Sequence, residues 1–163
     1  MYQVPIVKFL KQGKMYSVKE LTFKQIHKVW SECLWKTRTS PIKEVSSMKF
    51  LGGYDMNVYN QIPLFVGIFY ENNIVGVNSG HIVNEFEYRS RGLWIAEPHR
   101  RNGLTYFLFE KIFEHAKNNN IAIVWSLPKV SAVDVYIKNG FTISSNIVTE
   151  FEMGPHYYVS ASV

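Results

Sequence analysis

Cysteine is nearly missing: Cys33 stands alone among 163 residues, so no disulfide can form within the chain and the class of small disulfide-stapled scaffolds is excluded. The five histidines, at 27, 81, 99, 115 and 156, are too scattered to suggest a metal site. No run approaches the roughly 20 apolar residues that cross a bilayer, and the start mixes Gln and Lys among its apolar residues. Internal repeats and low-complexity stretches are also lacking. Together these absences describe a soluble, unprocessed chain that fits a reducing cytoplasm. Acid is the scarcer charge, with 13 acidic residues against 18 basic, and the formal charge of +5 suits nucleic acid, an acidic protein or a phosphate-bearing cofactor equally well.

What is present is apolar: 47% of the residues are hydrophobic and 15% aromatic, enough for one sizeable core and short for two, so residues 1–163 read as one domain. Residues 2–10 alternate loosely and are β-rich, which predicts a first strand. A helix over 20–36 follows, with Thr22 as cap and Ile26, Val29, Trp30, Cys33 and Leu34 at helical spacing. Residues 37–63, with Gly52-Gly53, Asp55, Asn57 and Asn60, predict loop with one short helix near 42–47. The apolar run 64–70, the turn signal Asn72-Asn73 and the run 74–83 make a central hairpin. Strands are expected at 88–95, where Gly92 marks a candidate bulge, and at 121–125, and more from Phe141 onward. Between them lie an amphipathic helix from Gly103 to the Asn118-Asn119-Asn120 stop and a helix over 131–138 ended by Asn139-Gly140.

The densest basic cluster, His99-Arg100-Arg101, stands just ahead of Asn102-Gly103 and the amphipathic helix. A helix start offers unpaired N–H groups and the positive end of the helix dipole, and a glycine lets the backbone approach a bulky anion. A pyrophosphate suits such a site. Standing alone, Arg100 and Arg101 would be solvated surface charges; their placement before Gly103 argues otherwise.

The spacing Arg100-x-x-Gly103-x-Thr105 after a strand resembles the pyrophosphate-binding signature of the GNAT acetyltransferases. Further on, Ala132, Tyr136 and Gly140-Phe141 are similar to a second element of that family. With the hairpin that carries Gly76, the resemblance covers residues 64–145 well and the first 60 only in element order. It departs at Thr105, where Gly or Ala is usual, at Glu97-Pro98, where the proline falls one residue late, and at Lys129, where an Asn often contacts the cofactor.

The resemblance implies an α/β fold: a mixed, mostly antiparallel sheet of six or seven strands, splayed at its middle, with about four helices. It implies acetyl-CoA as co-substrate, wedged between the expected strands 88–95 and 121–125. Leu93, Trp94 and Ile95 would pair with its pantetheine arm, Arg100, Arg101, Asn102, Gly103, Leu104 and Thr105 would hold its pyrophosphate, and Lys129 would reach a phosphate. A backbone N–H near Ile95 would polarise the thioester carbonyl. Tyr136 would donate a proton or a hydrogen bond to the departing thiolate, with no covalent enzyme intermediate. The acceptor would be a primary amine on a small molecule, a peptide or an aminoacyl group, and the protein a monomer or homodimer.

No residue stands out as base. Some relatives place a Glu early on the fourth strand, a place that falls near Arg89 here, with Glu87 two residues away. Glu87 is the candidate, set against the plainer reading of a solvated strand-edge carboxylate. His81 could relay a proton through water or be a hydrogen-bonded structural histidine. Trp30 and Trp35, on the helix that borders the acceptor in such proteins, read first as core, as does Cys33; Tyr54 and Tyr59 lie in the adjoining loop. The run Pro155-His156-Tyr157-Tyr158 suits either closure of the sheet or a dimer edge. Two other readings compete: a degenerate domain that binds acyl-CoA as sensor or scaffold, and a nucleic-acid binder, for which no recognised motif speaks.

Overall fold

A computed structural model of the chain describes residues 4–56 and 62–163. In chain order its strands are β1 (Val7–Lys11), β2 (Lys14–Glu20), β3 (Leu64–Tyr70), β4 (Asn73–Ile82), β5 (Glu87–Ile95), β6 (Ile123–Ser126), β7 (Thr142–Ile143) and β8 (Val159–Ser162), and its α-helices are α1 (Phe23–Val29), α2 (Thr105–Asn118) and α3 (Val133–Lys138). All eight strands join one sheet in the order β1-β2-β3-β4-β5-β6-β8-β7, antiparallel at every step except β5 to β6. The mixed, mostly antiparallel α/β sheet is the one expected. Among the described residues there are eight strands rather than six or seven, and three α-helices rather than about four.

The differences have local causes. Residues 2–10 were expected as one strand, and the chain instead makes a hairpin at a two-residue turn, Gln12 and Gly13, both at positive φ (48° and 75°). Gln stands where Asn or Asp usually marks such a turn, so the signal for β2 is weak in the sequence. Tyr2, Asn57, Tyr59 and Asn60 lie outside the described residues. The helix expected over 20–36 starts as predicted, with the Thr22 hydroxyl accepting Gln25 N (3.2 Å) and Gln25 Oε1 accepting Thr22 N (2.8 Å). At Trp30–Leu34 it widens into a π-helical turn closed by Trp35 N donating to Trp30 O.

No helix forms at 42–47. The backbone there is used by side chains of the sheet beneath it: Arg91 donates to Lys43 O (2.8 Å), and Ser46 N donates to His81 Nε2 (3.2 Å). Further along, Leu51 N and Gly52 N donate to the Glu87 carboxylate (3.1 and 2.5 Å). A helical i→i−4 ladder would compete for those same groups. Residues 41–53 therefore lie as a strap across β4 and β5.

Alternation on the strands builds two cores. Val66 and Ile68 of β3, with Tyr16 and Val18 of β2, pack against Leu108, Phe109, Ile112 and Ala116 of α2, every one of them at most 1% exposed. On the opposite face Phe65 and Val77 meet Ile26 and Trp30. Burying such side chains contributes about 1.5–3 kcal/mol each, which explains why β3 reads as a continuous apolar run rather than an alternating one. The helix expected at 131–138 splits into a 3-10 turn, Val130–Ala132, and α3. Among the described residues no helix is long and apolar enough to cross a membrane.

Candidate active site

The connection from β5 to α2 is built around its backbone. Glu97–His99 make one 3-10 turn, and Arg100 Nε returns to Ile95 O (2.8 Å), tying the loop to the end of the strand it follows. Arg101 and Gly103 then take positive φ, 59° and 69°. A Cβ on Gly103 would meet nothing nearer than Lys11 Nζ at 3.6 Å, so the backbone there is open to a ligand, and the left-handed conformation is one that glycine holds without strain. Tyr106 N and Phe107 N fold back onto Gly103 O and Leu104 O (3.3 and 3.1 Å), which leaves the amides of Gly103, Leu104 and Thr105 with no carbonyl partner among the described residues. α2 has neither a side-chain cap nor an acidic residue in its first turn, and Arg100 and Arg101 are exposed. Unpaired amides, a helix dipole, the exposed Arg101 and the Arg100 guanidinium, one N–H of which is spent on Ile95 O, together form a site for an anion.

The two remaining side chains of this segment turn away from it. Asn102 is buried, its Nδ2 donating to the Tyr16 hydroxyl (3.4 Å), which also bonds His99 Nδ1 (2.8 Å); the loop is thus pinned to β2. Leu104 is a core residue, 2% exposed. Thr105 Oγ1 accepts Asn139 Nδ2 (3.1 Å), so the hydroxyl that stands where Gly or Ala is usual links α2 to the end of α3 and keeps its own proton to donate. Tyr16 and Asn139 are members of the site that the sequence reading did not pick out; Tyr16 belongs to the unforeseen β2.

The sheet opens beside this loop. β5 and β6 pair over Glu87↔Ile123, Tyr88↔Val124 and Arg89↔Trp125 only, after which β5 runs on to Ile95 without β6. At Gly92 the register against β4 slips, the expected bulge: φ is +78°, and Gly92 O accepts the Trp30 indole N–H (2.9 Å). Leu93, Trp94 and Ile95 therefore line the open side of the split, and the anion loop begins where they end. Across the gap Ser126 Oγ donates to Ser90 O (2.7 Å) at the vertex. Tyr136, from α3, is 6% exposed, packed on Phe109 and Phe141 (centroids 5.3 and 5.4 Å), and hydrogen-bonded to Ser126. Burial raises its pKa above that of an ordinary phenol, so its proton is held at neutral pH. Lys129 is exposed three residues beyond β6, paired with His156 in an isolated bridge.

On the face of β5 that carries α1 and the strap, the structure gathers polar groups that a half-buried strand would expose. Glu87 is 1% exposed, and its carboxylate accepts Leu51 N, Gly52 N and Asn84 Nδ2 (2.7 Å). His81 is 4% exposed and tied by Nδ1 to its neighbour's carbonyl Ile82 O (3.1 Å) and by Nε2 to Ser46 N; burial, then Arg89, hold its pKa down to about 3. Arg89 and Arg91, 7% and 5% exposed, are depressed to about 10 and about 9, mainly by burial, and so stay charged at neutral pH. In the sequence Arg89 stands out only as a departure from an expected Glu. The available signal was the period of two in Glu87, Arg89 and Arg91, which places three ionisable groups on one face of a buried strand. Trp30 is core and Trp35 partly buried against it (5.0 Å between rings), while Tyr54 joins Glu44 and His81 along a cleft of ≈ 330 Å³.

Comparison with known proteins agrees with this geometry. The family model of the acetyltransferase (GNAT) family matches residues 26–141. No curated protein gives a significant match. Among solved structures, Ard1 from Thermoplasma volcanium is similar with a TM-score of 0.66 at 16% identity, over 91% of this chain and 97% of that one. ElaA from Escherichia coli gives 0.63 at 11% identity, over 90% and 97%. A GNAT family acetyltransferase from Elizabethkingia anophelis, with acetyl-CoA bound, gives 0.55 at 15% identity, over 62% and 76%. With that family model spanning well over half of the residues, and the same fold in these structures, the chain belongs to the GNAT acetyltransferase family.

Proposed function

We propose that the chain, as one domain over residues 1–163, transfers the acetyl group of acetyl-CoA to a primary amine by direct attack in a ternary complex. The observation that carries this reading is the run of unpartnered amides at Gly103, Leu104 and Thr105 beside the split between β5 and β6. The residues fit a CoA pyrophosphate: an open glycine backbone, a helix start without an acid, and two exposed arginines. Family membership and the acetyl-CoA found in the Elizabethkingia anophelis relative support the choice of co-substrate.

Bound acetyl-CoA supplies a thioester whose carbonyl carbon takes the amine and whose sulfur leaves. In this reading Leu93, Trp94 and Ile95 hold the pantetheine arm along the free edge of β5, and a backbone N–H near Ile95 stabilises the charge that develops on the carbonyl oxygen. Arg100, Arg101 and the amides of 103–105 hold the pyrophosphate, Asn102 fixes the loop from beneath, and Lys129 neutralises a phosphate from the opposite lip. Tyr136 keeps its proton through neutral pH and gives a hydrogen bond, or that proton, to the sulfur as the C–S bond breaks. The base role weighed for Glu87 and His81 has little support, since both are engaged in holding the strap. The amine enters neutral or yields its proton to water, helped by the positive field of Arg89 and Arg91, which disfavours an ammonium beside them.

Calorimetric titration of acetyl-CoA tests the reading. Micromolar binding by wild type, lost in an Arg100→Ala, Gly103→Glu variant that keeps its circular dichroism, is expected; absence of binding by wild type would overturn it.

A further inference from the structure

Among the described residues, Arg89 and Arg91 are buried cations without an anion. No carboxylate contributes to the electrostatics of either, and among the described residues the recorded ion pair is Lys111 with Glu114, on α2. The nearest acid on the same strand face, Glu87, is taken by Leu51, Gly52 and Asn84. What the two guanidiniums touch is neutral: Ser46 Oγ for Arg89, Lys43 O for Arg91, the Trp125 ring under Arg89 (5.0 Å), and the Trp30 and Trp35 rings under Arg91 (5.0 and 5.1 Å). Arg38 approaches Trp35 from elsewhere (4.8 Å) and adds to the same positive field.

Burying a guanidinium is costly unless an anion accompanies it, and the cost falls on every N–H left unbonded. Two guanidiniums offer about ten N–H donors. Among the described residues Arg89 donates to Ser46 Oγ and Arg91 to Lys43 O, and Arg89 Nε is buried with no acceptor there. Immediately beneath it, Trp125 Nε1 is a second buried donor with no acceptor. Orphaned donors of this kind are rare in folded proteins and call for an explanation. Purely structural cations would be expected to carry carboxylate partners. A planar fork stacked on an indole, with donors unspent, is the arrangement that holds a carboxylate or a phosphate.

Arg89 is the last β5 residue paired with β6, and Arg91 follows just past the vertex of the split. Two strand residues, about 7 Å, separate Arg91 from the start of the 93–95 segment. We propose that Arg89 and Arg91, with the Trp125 indole N–H, bind an anionic group, a carboxylate or a phosphate, on the amine acceptor. This rests on the acetyl-transfer reading for the word acceptor; the anion site itself does not. Amino acids and aminoalkyl phosphates meet the requirement, and plain alkylamines do not.

Two arms test it. In the first, matched amines that differ in the acid, β-alanine against propylamine and phosphoethanolamine against ethanolamine, are compared as acceptors. The acidic member of at least one pair should have kcat/KM higher by about 10- to 100-fold, the worth of a charge-assisted contact, with the difference in KM. Arg91→Gln should erase that preference while leaving acetyl-CoA affinity unchanged. The second arm needs no turnover: succinate and inorganic phosphate are titrated in turn while tryptophan fluorescence is read. A saturable change is expected in wild type and in the Arg100→Ala, Gly103→Glu variant, and is expected to be lost in Arg91→Gln. Arg91→Lys keeps the charge without the fork and should weaken the response if Arg91→Gln does not fold. Equal use of acidic and plain amines, or a fluorescence response absent from wild type or indifferent to Arg91, overturns the proposal. Failure of acetyl-CoA to bind sinks the functional reading alone, because the fluorescence arm still decides the anion site.

Discussion

Replacing Gly92 by alanine tests how the split is held open. The residue sits at φ +78°, and a Cβ there would lie 2.3 Å from Trp30 Nε1 and 2.5 Å from Trp30 Cε2. Left-handed backbone costs a non-glycine residue about 1 kcal/mol, and forcing a methyl into packed core costs about 1–3 kcal/mol. The indole cannot yield without breaking its 2.9 Å bond to Gly92 O, and it has no room because Trp30 is fully buried. A total of about 3 kcal/mol corresponds to a fall of about 6–12 °C in Tm for a chain of this size. Trp30→Phe alone should cost about 2 kcal/mol, from the orphaned carbonyl and the lost ring. The shorter phenyl also frees the space that the methyl needs. The double variant should therefore lose less stability than the sum of the two single losses by about 1–2 kcal/mol, read by urea unfolding with unchanged m. Strict additivity would refute the reasoning, because it would mean that the bulge and the indole do not constrain one another.

Tyr136→Phe should lower kcat by about 100-fold or more in a coupled CoA-release assay, with acetyl-CoA affinity kept, as loss of a proton donor to sulfur requires. The raised phenol pKa means that this donor persists with rising pH until beyond the ordinary tyrosine value, so kcat should not fall on the alkaline side below about pH 10. Glu87→Gln should lower stability by about 1–3 kcal/mol, since a charged acceptor for Leu51 N and Gly52 N is replaced by a weaker one, while kcat changes less than about tenfold; a collapse of kcat at unchanged Tm would make Glu87 the base after all. His81, held down to about 3, is neutral when folded and takes a proton when unfolded below about pH 6.5. Stability should therefore fall with acid by about 1.4 kcal/mol per pH unit from about 6.5 towards 3, and His81→Gln should flatten that slope.

Much of the fold, and of the loop proposed to hold the cofactor, was legible in the chain alone, and for local reasons. Gly103 after Arg100, the period of α2 and the Tyr136 to Phe141 segment are contiguous patterns whose geometry follows from backbone rules, and Thr22 with Gln25 announces its own helix. The bulge was readable at Gly92 because one residue type marks it. What the tertiary structure alone decided is what depends on pairs distant in sequence. β2 forms because Gln12-Gly13 turns the chain and β3 stands ready to pair with it, and the Asn102 side chain is a buried anchor because Tyr16 of β2 is there to receive it. The residues 42–47, helical by local preference, are drawn straight by Arg91 and His81, which lie 35 residues or more away along the chain. Burial is the same kind of property. The period of two puts Arg89 and Arg91 on one face of β5, but not their burial; the closing of Trp30, Trp35, Trp125 and the strap around them removes the water and leaves two charged groups without a counter-ion among the described residues.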